Sequence, residues 1–315
     1  MTQSKRIHQP ATALAFLLAL FASIASANVA RADIAPAPRP SVSNLQRPPS
    51  AKRRPPAVRM QEEAVTISLY PSFAIVHATF LMTNTGPTFK DEIGFPGAGS
   101  PVAGQLAVHT PLHGFRAWID GKEVTTSERA ITKEFAFGPP KPGGGRYTRR
   151  RDETWHVFGA HIPKQKSVKI TVEYAVLSAQ HDVPNAQTLD KVHYILHTGR
   201  SWKGPIGSGI VRIVAEEGVD PASVSTVNHA FHGMSNATQY EPLVLPKGAS
   251  RTDKGFEWKF TKLSPSEKDD LEIVYRVDET ARDANPEAAL ARALKNRVPP
   301  GLGASEQPPK SAKKP

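Results

Sequence analysis

The chain has no cysteine in 315 residues. That absence excludes disulfides, cysteine-ligated zinc, iron–sulfur clusters, a thiol nucleophile and a thioether-linked lipid anchor. Aromatic residues are sparse at 7%, with 4 tryptophans and 4 methionines. There is one long apolar run, Ala11–Ala25, and nothing later in the chain approaches the roughly 20 apolar residues that span a bilayer. Acidic residues are missing altogether from residues 34–60.

What is present starts with an export pattern. Lys5 and Arg6 precede the run, and Ala25-Ser26-Ala27 and Ala30-Arg31-Ala32 follow it as small-x-small sites. This predicts a signal peptide over residues 1–32, cleaved after Ala32, and a periplasmic or secreted chain with no membrane span. Without disulfides, such a chain depends on a sizeable core.

The formal charge is +11, and removal of residues 1–32 takes away three bases and leaves +8. Residues 34–60 carry 6 bases and 7 prolines, and residues 295–315 carry 5 bases and one acid. The middle, 61–294, nets −1. The charge therefore belongs to the ends. A nucleic-acid-binding fold carries its basic stripe on the folded domain, so nucleic acid is not an expected partner. Residues 33–57 and 298–315 read as disordered, extended segments. They serve as linkers, or as tethers to an anionic surface.

From 61 to 278 the pattern is strand-like. Val65, Ile67 and Leu69 alternate with polar residues, as do Val76, Ala78, Phe80 and Met82. Val168 to Val176 is the clearest case, and Phe256–Phe260 and Leu271–Val277 repeat it. Asp120-Gly121 predicts a two-residue hairpin turn with positive φ at both positions. The expectation is an all-β protein of two antiparallel, immunoglobulin-like sandwiches, 58–180 and 190–278, meeting near 178–190. A single larger sandwich is the alternative. Asn285-Pro286-Glu287 caps a short helix over 285–297 that packs loosely or projects.

Chemical motifs are weak. His193 and His197 stand four apart in what reads as a strand, where about 13 Å separates them. His229 and His232 lack a nearby carboxylate. Gly204-Pro205-Ile206-Gly207-Ser208-Gly209 precedes a strand rather than the helix a phosphate cradle requires. Gly233-Met234-Ser235-Asn236-Ala237 lacks the last glycine of a nucleophile elbow. No catalytic, metal or cofactor-binding residue is assigned. Two aromatic–basic groups are binding candidates: Arg149, Arg150, Arg151 and Trp155, with the arginines in a loop, and Arg200, Trp202 and Lys203. Buried, the two tryptophans are core anchors instead.

Two stretches carry a resemblance. One runs from Glu63 through Val76, Phe80, Asn84, Gly86 and Gly94-Phe95-Pro96 to Asp120-Gly121. The other is Tyr194–Gly207, with its Trp202-Lys203-Gly204-Pro205-Ile206-Gly207 sequence. Together they resemble a family of exported bacterial β-rich proteins that contain a domain of unknown function. The first is also loosely similar to von Willebrand-associated trypsin-inhibitor-heavy-chain N-terminal domains. The resemblance implies export and a β fold and brings no activity. The expected function is non-enzymatic: binding or organising an envelope component, whether polymer, anionic membrane surface or protein. An envelope glycan or peptide hydrolase, and an accessory subunit of a transport or secretion complex, are the alternatives.

Overall fold

A computed structural model of the chain describes residues 35–36, 57–96, 112–137, 147–181, 189–227 and 243–297. The fold is all-β with one short helix. Strands are numbered in chain order. The largest sheet runs, in spatial order, β15 (Ala249–Thr252), β16 (Gly255–Leu263), β12 (Ile206–Ala215), β2 (Val58–Tyr70), β3 (Phe73–Asn84), β9 (Ser167–Leu177), β5 (His113–Ile119) and β6 (Lys122–Val124). A four-stranded sheet runs β1 (Ala35–Pro36), β4 (Phe89–Pro96), β8 (Tyr147–Ile162) and β7 (Ser127–Phe137). A five-stranded sheet runs β10 (Ala179–His181), β11 (Leu189–Tyr194), β17 (Leu271–Tyr275), β13 (Ser225–Val227) and β14 (Leu243–Val244).

The alternation seen in the sequence sets the layers. Val65, Ile67 and Leu69 of β2, Val76 to Met82 of β3 and Ile170 to Val176 of β9 bury one face of the large sheet. Ile93, Phe95, Phe158 and Ile162 of the four-stranded sheet join the same core, as do Val192, Tyr194, Ile273 and Tyr275 of the five-stranded one. Both smaller sheets thus cover one face of the large sheet. Phe95 meets Phe80 at 6.3 Å and Tyr174 at 5.7 Å between ring centroids. The Asp120-Gly121 turn forms with φ of 50° and 78°.

The boundary expected at 178–190 does not separate two sandwiches. β2 pairs in parallel with β12, Glu62 opposite Ser208 through Leu69 opposite Ala215. Strands from both sides of the boundary therefore share one sheet and one core. Periodicity reports which face of a strand is buried, not which strand it pairs with, so this pairing was hidden.

Three further differences follow. Two residues of the expected disordered segment form β1, where Ala35 pairs with Gly94 and Pro36 with Ile93; proline is compatible with such an edge position. The strand expected to carry both His193 and His197 ends at Tyr194, and a 3-10 turn begins at His197. The helix α1 (Pro286–Lys295) is docked rather than projecting: Leu290 is buried with Phe73, Ile75 and Ala175 on the opposite face of the large sheet. Asn285 caps it by accepting from the Ala288 amide at 3.0 Å, as its sequence predicts. Residues 1–32, the greater part of both tails, His229, His232 and Gly233–Ala237 lie outside the described residues.

Candidate functional site

Two places collect chemistry-bearing residues. The first is the Tyr194–Gly207 segment, which lies where the three sheets meet. Tyr194 ends β11 and donates from its hydroxyl to Glu63 Oε1 of β2 at 2.9 Å. Glu63 is 2% exposed, and its Oε2 has no hydrogen-bond partner among the described residues. Burial raises its carboxyl to about 7, and the Tyr194 hydrogen bond only partly opposes that. The chain then turns over Asp270. One oxygen of that buried carboxylate accepts from the amides of Leu196 and His197, and the other lies 2.7 Å from His197 Nδ1. The carboxylate fixes the turn and orients the imidazole, which is 30% exposed.

The rest of the segment is anchored. Trp202 is 3% exposed and meets the Phe89 ring edge-on at 6.1 Å. The Lys203 amide donates to the Val58 carbonyl at 2.9 Å, and its ammonium to Thr85. Gly207 lies within β12, not in a turn, and a Cβ there would stand 2.4 Å from the Gln61 carbonyl. A Cβ on Gly209 would enter the Phe260 ring at 2.1 Å. These glycines permit close packing and do not cradle phosphate. Of the second binding group, Arg200 and Lys203 are exposed and Trp202 is core, so the three do not form one stacking surface.

The second place is a β-ribbon. β8 pairs with β4 only from Trp155 to Ile162, but with β7 from Tyr147 to Val157. Among the described residues, 130–137 and 147–154 therefore pair only with each other, as a two-stranded arm past Pro96 of β4. Arg149, Arg150 and Arg151 sit in this arm, on a strand rather than in a loop. The run of charge masked its alternation. Directly opposed residues share a face, so register sorts the arm. Phe137 opposes Tyr147, Phe135 opposes Arg149, and Lys133 opposes Arg151. Those six positions share one face with the next pair, Ile131 opposite Glu153, and Trp155, paired with Arg129, continues it. Arg150 takes the other face, opposite Glu134.

Trp155 is 5% exposed, so it anchors the arm's base rather than offering a ring to solvent. His156, on the core side, stacks on Phe115 at 4.7 Å, and its burial lowers its proton affinity. Arg129 at the same base forms a two-pronged pair with Glu92 at 2.7 and 2.8 Å. Sequence reading missed Lys133, Phe135, Phe137 and Tyr147 because β7 was not recognised as a strand. It missed the Glu63–Tyr194 and His197–Asp270 pairs because 131 and 73 residues separate the partners.

No family model matches the chain, and no curated protein matches it. Among solved structures it is similar to a candidate nutrient-binding protein from Legionella pneumophila, with 17% identity over 79% of this chain and 70% of that one, at a TM-score of 0.48. It is also similar to an M1 zinc metallopeptidase from Deinococcus radiodurans, at 12% identity and a TM-score of 0.31, and to yeast LTA4 hydrolase, at 7% and 0.32. The matched parts span 42% of the former's length and 32% of the latter's.

Proposed function

We propose that this is an exported, non-enzymatic binding protein that attaches to an anionic component of the cell envelope. The observation that carries the reading is the backbone register of the β7–β8 pair, which places Lys133, Arg149 and Arg151 at positions of the same face as Phe135, Phe137 and Tyr147, with the Ile131–Glu153 pair next along it. Basic and aromatic groups in alternation suit an anionic, partly apolar partner. The basic tails add long-range attraction without shape. The sequence-based assignment to two immunoglobulin-like sandwiches gives way here to a single β scaffold that holds the arm at one end.

The test is binding of the mature chain, and of a 57–297 fragment, to isolated envelope fractions across a salt series. The fragment keeps α1, because Leu290 and the Arg297–Glu173 pair at 2.9 Å attach that helix to the sheet. Binding by both, with the fragment weaker at low salt, supports a site on the arm aided by the tails. Binding by the mature chain alone places attachment in the tails and refutes the arm.

A second reading, a hydrolase of envelope glycans or peptides, draws on His197. An imidazole held by a buried carboxylate is a competent general base. Hydrolysis of envelope polymer by the mature chain that His197→Gln abolishes would establish this reading in place of the first.

A further inference from the structure

We infer that Glu63 is a pH-sensitive latch: while it keeps its proton, the Tyr194–Gly207 segment stays closed on β2, and its ionisation lets that segment open while the rest of the large sheet stays folded. The latch is independent of the envelope-binding reading and of the β7–β8 arm.

Glu63 stands on the core face of β2, in register with Phe80 of β3 on one side and Gly209 of β12 on the other. Neither neighbour offers a hydrogen-bonding side chain. A carboxylate has about four acceptor sites. Here the Tyr194 hydroxyl fills one, at 2.9 Å, and Oε2 has no partner among the described residues. A buried ion left so poorly paired is costly, and the neutral acid is much less so. Ionisation therefore favours any motion that brings water to Oε2. Ladders to β3 and β12 fix the backbone of β2 from both edges. Tyr194, by contrast, is the last residue of β11. Beyond it the chain is held by a few separate contacts: the Leu196 and His197 amides on Asp270, Trp202 on Phe89, and the Lys203 amide on the Val58 carbonyl. The segment is the side of the contact that gives way first.

Burial and the Tyr194 hydrogen bond set the proton affinity of Glu63. Other titratable groups on the core side have their own partners. Asp270 and His197 hold each other, Asp190 pairs with Arg282, and Tyr275 donates to the Tyr70 carbonyl. Tyr174 packs on Phe95 and Phe115, and His156 stacks on Phe115. Lys191 and His193 of β11 and Glu272 of β17 take the opposite face of their sheet from Tyr194. The closed carboxyl gives up its proton near pH 7, and the opened, hydrated one near its ordinary 4.5. Opening is therefore suppressed in acid, grows as the pH rises from 4.5, and levels off above about 7. Between pH 5.5 and 8.5 the open fraction should rise about thirtyfold.

The experiment is amide hydrogen exchange on the full mature chain between pH 5.5 and 8.5, corrected for the intrinsic exchange rate, with and without sub-denaturing urea. The amides of Leu196, His197 and Lys203 are expected to lose protection about thirtyfold across that range. Amides of β3 and β9 are expected to stay better protected, and only theirs to respond to urea, because a local opening exposes little surface. Glu63→Gln is expected to remove the pH-dependent loss. This variant keeps His197, so a full wild-type loss in it assigns the response to the His197–Asp270 pair and overturns the latch. Tyr194→Phe remains informative if Glu63→Gln does not fold. It is expected to move the levelling-off to higher pH, since the lost hydrogen bond had favoured the ion; an unmoved profile overturns the latch. Segment amides no better exposed than those of β3 and β9, with the same urea response, report global unfolding and overturn it. Protection that does not change with pH overturns it as well.

Discussion

Replacing Glu63 by Gln tests whether the β2–β11 contact was read correctly. The carboxyl has an ordinary value of 4.5 when unfolded and about 7 in the folded chain, chiefly because burial penalises its charged form. The folded state therefore holds this proton more tightly than the unfolded state does. By linkage, the stability this group confers is complete below about pH 4.5 and is lost as the pH rises through 7. The gap corresponds to roughly 3 kcal/mol. Gln cannot ionise, and its carbonyl can still accept from Tyr194. Its amide in place of the unpartnered Oε2 adds a cost that does not depend on pH. The variant's stability relative to wild type should therefore climb by roughly 3 kcal/mol between pH 4.5 and 8. Urea unfolding at pH 4.5, 6, 7 and 8 measures it. A difference that stays constant across that range would refute the buried, unpaired carboxyl.

Other substitutions probe the anchors. Trp202→Ala should destabilise by about 3–5 kcal/mol in denaturant melts, as large-to-small changes in a packed core do; a loss under about 1 kcal/mol would make the ring a surface group. Gly207→Ala should cost roughly 1–3 kcal/mol, because the backbone of Gln61 cannot step aside as a flexible side chain would; unchanged stability would contradict the close approach of β12 to β2. Asp190→Ala should cost about 3–5 kcal/mol. Asp190 is fully buried, accepts from the Ser72 amide at 2.9 Å and Ser178 at 2.6 Å, and pairs with Arg282 at 2.5 Å. The variant should also speed proteolysis within 279–297, since Arg282 ties that segment to the sheet; equal cleavage rates would refute that tie.

Much of the scaffold was legible in residue order. β3 and β9 alternate cleanly, so their buried faces could be named in advance. The Asp120-Gly121 turn and the Asn285 cap are local chemistry, and local chemistry needs no partner to be read. Pairing between distant strands is different. Nothing within Glu62–Leu69 or Ser208–Ala215 announces that they run side by side in parallel, and the two-sandwich expectation failed there. β8 failed for another reason. Its arginines and its Asp152-Glu153 pair hide the alternation, because charged residues stand at consecutive positions on both faces of the strand. The binding candidates divided along the same line. Arg149 and Arg151 gained partners of a kind only register could supply. Trp155 and Trp202 were aromatic enough to bind and turned out to be needed for packing. The Tyr194–Gly207 segment was distinctive for a structural reason: Tyr194 and Gly207 contact β2, His197 contacts the Asp270 turn and Trp202 contacts β4.

The most direct test of the account compares the mature wild-type chain with the Arg149→Gln, Arg151→Gln variant on isolated envelope fractions at low salt. The account predicts that wild type is retained and that the variant, equally stable in thermal melts, is retained about thirtyfold less well. Equal retention of the two would show that the arm is not the contact surface and would contradict the central claim.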